Sequence, residues 1–146
     1  MKKVFNTQTS SSAIDITLLL GRVGIAALMF THGLPKLQML LSGETSQFPS
    51  IMGLGATLSL TLAVFSEVFC SIFILTGFAT RLATIPLIIT MLVAAISVHA
   101  ADAFATKEKA ILFLLVYILL FFMGSGKYSI DHFIHAKKSI AYPARV

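Results

Sequence analysis

Four long apolar runs divide the chain, and they leave few folds open. They cover about residues 16–37, 55–77, 82–101 and 108–124. At ~1.5 Å per residue, each run crosses or nearly crosses a hydrocarbon core ~30 Å thick. Lipid offers no partners to unpaired backbone groups, so runs of this kind are helices. The reading is all-α: a membrane four-helix up-down bundle, forming a single transmembrane domain over residues 1–146. Pro35 is expected to end or kink the first helix, because its ring clashes with the preceding turn. Pro86 falls in the first turn of the third helix as read from sequence, where a missing N–H costs little. Gly77 to Arg81 reads as a tight turn, and Ser42 to Gly53 as a polar loop.

Composition supports the bilayer as solvent. Of the 146 residues, 57% are hydrophobic and 12% charged, and mean hydropathy is +0.92. An average soluble domain carries about 25% charged residues. The net charge of +5 sits mostly at the ends of the apolar runs, where it reports topology and headgroup contact. No basic stripe interleaves with aromatics, so nucleic acid is not a partner; the lipid bilayer is. The one cysteine, Cys70, excludes an intrachain disulfide and a multi-cysteine metal cluster, and reads as a small buried hydrophobe. The segment MKKVFNTQTSSS lacks an apolar signal core and reads as a short cytoplasmic tail.

Charge asymmetry orients the helices. With the N-terminus inside, Lys2, Lys3, Arg81, Lys127, Lys137, Lys138 and Arg145 lie inside, and Lys36, Lys107 and Lys109 outside. This favours an N-in/C-in arrangement with a cytoplasmic tail over 127–146. In that tail Ser129 can cap a short interfacial helix from Ile130 to Lys138, with Asp131 near its positive end. Gly124 and Gly126 permit the backbone reversal that precedes it.

Two charges lie inside apolar runs. Arg22 is in the first helix and Glu67 near the middle of the second, and either alone costs ~2.5–3.5 kcal/mol on insertion scales. Their depths suit a pair at the floor of an outward-facing polar cavity. Arg22, Met29 and Lys36 share a helix face with His32 nearby. His99, Asp102, Lys107, Glu108 and Lys109 add an outer cluster, which reads either as ordinary interfacial charge or as the mouth of that cavity. His32 and His99 raise a bis-histidine haem, and His32, His99, Asp102 and Glu108 a metal site. No further haem signature appears and the charged surroundings fit one poorly, the metal set lacks helical i, i+4 spacing, and the chain shows no flavin ligand set, so no haem, flavin or metal is expected.

The ordered set Arg22, His32-Gly33-Leu34-Pro35-Lys36, Glu67, Gly77-Phe78-Ala79-Thr80-Arg81-Leu82-Ala83 and Gly124-Ser125-Gly126-Lys127-Tyr128-Ser129-Ile130-Asp131 resembles the DoxX family over about residues 15–135. Ser125 stands where that family usually has proline. The resemblance implies a four-helix protein of the bacterial inner (plasma) membrane. Its relatives include a subunit of an archaeal thiosulfate:quinone oxidoreductase, a methylamine-utilisation protein and members of oxidative-stress complexes. The family's polar positions fall on Arg22, His32, Lys36, Glu67, Arg81, His99, Glu108, Ser129 and Asp131.

Two functional readings stay open. In the first, the chain is a redox-associated subunit that binds a quinone or a small acid between its helices. Arg22, His32, Lys36, Glu67, His99 and Glu108 are then the candidates for ligand binding or proton relay, and a redox partner protein supplies electrons. In the second it is a non-catalytic membrane module: a small-molecule transporter, a lipid-binding protein or an assembly partner. Gly124, Gly126, Ser129 and Asp131 serve structure in both, and homo-oligomers are compatible with either.

Overall fold

The computed structural model describes residues 10–141, with side chains to residue 136. The N-terminal tail and the stem of Lys137 lie outside the described parts. Five helices account for most of the described residues: α1 Ser11–Ser42, α2 Ala56–Thr76, α3 Thr80–Val98, α4 Phe104–Met123 and α5 Ile130–Ala141. No strand occurs among the described residues. α2 packs between α1 and α3, and α4 between α3 and α1, so the four long helices close around one interior.

α1 begins where the Ser10 side chain accepts the Ala13 amide at 3.2 Å, and it ends at Gly43 in the left-handed region, φ +78°. It does not end at Pro35. Proline removes one donor, the one that would reach the Thr31 carbonyl, and the ladder resumes beyond it. Packing holds the extra turns. Leu37, Met39 and Leu40 join Phe30 and Phe48 against a cluster of Leu60, Val64 and Val68. Pro86 is also displaced from its expected place: α3 begins at Thr80, so the proline is the seventh helical residue and lies in the second turn.

Two stretches are wound as π-helix, Phe65–Cys70 within α2 and Ala94–Val98 at the end of α3. Such wide turns are rare, and they recur at functional sites.

α1, α2 and α3 are each long and apolar enough to cross a membrane. α4 has 20 residues, but Lys107, Glu108 and Lys109 occupy its opening turns. The surface is inverted relative to a soluble protein. Leu20, Leu82 and Phe122 are 66–71% exposed, whereas Arg22, Ser66, Glu67, Ser71, Thr80 and Thr84 are buried. Apolar side chains that face outward, with the polar ones drawn in among an apolar core, are what a hydrocarbon solvent selects,.

Candidate functional site

The chemistry-bearing side chains separate into two groups, one at each end of the interior. One lies beside the 43–55 loop and the other beside the Gly77 turn.

At the loop end, Gly33 sets the geometry. α1 and α2 approach so closely there that an added Cβ would stand 2.9 Å from Val68 Cγ2 and 3.1 Å from Glu67 Cβ. Lys36, one turn further along α1, then faces the wide turn that carries Glu67, and its ammonium donates to Glu67 Oε1. The Glu67 side chain is 3% exposed and that of Lys36 29%. Glu67 Oε2 is buried and has no hydrogen-bond partner.

Two cavities meet at this pair. One, of about 410 Å³, is walled by Phe48, Leu62, Ile89 and Val93, with Ser59, Thr90 and His99 among its polar groups. The Ile51 amide donates to Ser59 Oγ at 3.0 Å and Ser59 Oγ to the Gly55 carbonyl at 2.7 Å, which ties the loop to α2 as one wall. The other cavity, of about 270 Å³, is bordered by Met29, His32, Met91 and Phe113. Lys36, Glu67, Ala94 and His99 border both. His99 Nδ1 lies 2.7 Å from Asp102 Oδ2, which orients its ring. His32 meets the Phe113 ring edge-on, with centroids 5.7 Å apart.

At the turn end, Arg22 is fully buried. Its Nη1 donates to the Ile74 carbonyl at 3.3 Å and its Nη2 to the Tyr128 carbonyl. Gly77, at φ +70°, makes room: an added Cβ would stand 2.1 Å from Arg22 Nη1 and 2.6 Å from Ser129 Cβ. Asp131 accepts the amides of Ala79 (2.7 Å) and Thr80 (3.2 Å) and so caps α3, while its own amide donates to the Gly77 carbonyl at 3.0 Å. Ser129 Oγ accepts the His132 amide at 3.1 Å and starts α5. Gly124 and Gly126 adopt φ +78° and +71°, and Arg81 Nη2 donates to the Phe122 carbonyl at 3.2 Å. The Gly77–Ala83 and Gly124–Asp131 segments, far apart in sequence, thus form one clasp around Arg22.

The expected Arg22–Glu67 pair does not form. Arg22 is level with the Ile74 carbonyl, seven residues beyond Glu67 and so roughly 10 Å along the helix axis at ~1.5 Å per residue. Glu67 takes Lys36 instead, and Arg22 borders neither loop-end cavity. His32, Lys36, Glu67 and His99 converge. Glu108 is exposed and lines neither cavity. Among the described residues no three metal-ligating side chains cluster. Sequence reasoning missed the two π-helical stretches and the close approach at Gly33. The only local signal was the glycine between His32 and Pro35.

No curated protein and no solved structure matches this chain. The DoxX family model matches residues 17–100, a span that holds the α1–α2 contact at Gly33, the Lys36–Glu67 pair and His99. The chain belongs to the DoxX family.

Proposed function

We propose that this chain is a multi-pass protein of the bacterial inner membrane, an up-and-down bundle of α1 to α4 with both termini in the cytoplasm. In this reading the loop end faces outward and binds a quinone or a similar ring-bearing amphiphile beside Lys36 and Glu67. The observation that carries it is the pair of cavities sharing a buried, half-satisfied carboxylate. The larger, at about 410 Å³, lies within the ~300–1,000 Å³ of small-molecule sites and has their makeup, apolar walls with a few polar groups. A ring carbonyl can accept from the Lys36 ammonium or from His99. Glu67, at the inner edge of the site, can take or return a proton as the ligand changes protonation. In this reading a partner protein supplies the electrons, since the sequence carries no recognisable flavin, haem or iron–sulfur ligand set,.

A photoactivatable short-chain quinone tests this reading. Labelling should concentrate on α2 and α3 peptides containing Leu62 to Glu67 and Ile89 to His99, and excess unlabelled quinone should suppress it. Labelling spread evenly over the lipid-facing helices would overturn the site. One observation favours the non-catalytic reading instead. The cavity wall continues into the loop residue Met52, which is 82% exposed, so an acyl chain could enter from the side. A phospholipid cross-linked to the peptides containing Leu62 to Glu67 and Ile89 to His99, with no quinone binding, would support that module.

A further inference from the structure

A separate groove of about 610 Å³ lies at the turn end, away from Lys36 and Glu67. Arg81 at the start of α3 borders it, with His132 and His135 from one face of α5. Its apolar border is Leu82, Met123 and Ile134, which are 69%, 52% and 40% exposed. Arg81 gives one N–H to the Phe122 carbonyl and has no carboxylate partner among the described residues. Asp131 also borders the groove, but its carboxylate is committed to the amides of Ala79 and Thr80. The groove therefore presents Arg81 and two imidazoles, with the amide-bonded Asp131 carboxylate at its border, beside exposed apolar side chains of Leu82, Met123 and Ile134. Basic pockets between membrane helices on the cytoplasmic side bind anionic headgroups.

We propose that this groove binds the headgroup of an anionic phospholipid. The phosphodiester would sit on Arg81 between His132 and His135, and an acyl chain would run along Leu82 and Met123. The proposal rests on the membrane-embedded reading above, but not on what the Glu67 cavity holds.

The test is native mass spectrometry of the whole chain released from nanodiscs of mixed phosphatidylcholine and phosphatidylglycerol. Wild type should retain phosphatidylglycerol in preference to phosphatidylcholine. Arg81→Gln should lower that preference about fivefold, the factor for one cation at a membrane surface, and Arg81→Lys should keep most of it. Arg81 also holds the Phe122 carbonyl, so His132→Ala with His135→Ala provides a variant that leaves that bond intact; it should lower the preference as well. Lys36→Met with Glu67→Leu should leave the preference for phosphatidylglycerol over phosphatidylcholine unchanged, since neither residue borders this groove. Equal retention of both lipids by wild type, or full retention by both the Arg81→Gln and the double-histidine variants, would overturn the proposal. Displacement of the lipid by inorganic phosphate alone would also overturn it, by assigning the groove to a soluble anion.

Discussion

Lys36 reaches Glu67 because Gly33, one turn earlier on α1, lies against the backbone of Glu67 itself. Helix approach and ion pair are thus one feature. Gly33→Ala should force α1 off the wide turn of α2, since the new methyl would meet Val68 and Glu67 backbone at about 3 Å. Overpacking of this kind costs about 1–3 kcal/mol. Thermal unfolding in detergent should show a lowered midpoint, and an unchanged midpoint would mean that the contact yields easily.

The Lys36–Glu67 pair makes a second prediction about stability. Lys36→Met leaves a carboxylate that is 3% exposed without its cation. Breaking buried pairs costs about 3–5 kcal/mol, and the partial exposure of Lys36 places this case near the lower end. Adding Glu67→Leu should restore most of the loss, because the uncompensated charge is then gone. Failure of the double variant to recover would show that the pair has a packing role beyond charge.

The clasp at the other end predicts a different response. Gly77→Ala should collide with the Arg22 guanidinium at a backbone angle that side chains rarely adopt,. Asp131→Ala should remove the acceptor of the first amides of α3, worth about 1 kcal/mol. Both should raise amide exchange in α5 and in the Gly77 turn, and both should leave α1 protected near Lys36. Uniform loss of protection along the whole chain would contradict a clasp that acts locally.

Topology can be checked directly. Cysteine variants at Ser46 and Ser139 should react with impermeant reagents from the outer and inner side respectively. Cys70 is buried and free, so it leaves the assay quiet. Both positions reacting from the same side would contradict the N-in/C-in bundle.

Helix ends and apolar runs were legible because their causes are local. Ser129 caps α5 through the amide three residues on, and Gly124 and Gly126 take the positive φ that the reversal before it was expected to need. The run of apolar residues that became α2 carries its membrane-crossing character in its own composition. The partner of Glu67 was not legible. Counting residues gives depth along a helix, but the wide turn at Phe65–Cys70 changes which way Glu67 points. Nothing in the residue types there announces a π-helical turn. Arg22 was misread for a related reason, because its partners are the backbone carbonyls of Ile74 and Tyr128. Every residue has a carbonyl, so side-chain chemistry in the sequence cannot single those two out. The length of α1 was hidden by Pro35, since the burial that carries the helix past it comes from α2 and the loop.

Binding of a short-chain quinone to purified protein, measured by equilibrium dialysis against wild type and against Lys36→Met with Glu67→Leu, tests the central claim most directly. The double variant keeps the apolar walls and loses the polar pair, and an intact thermal midpoint shows that it is folded. The account predicts one saturable equivalent bound by wild type, with affinity at least about tenfold weaker in the variant, the loss expected for a hydrogen bond to a charged group. No saturable binding to wild type, or equal binding by both proteins, would contradict it.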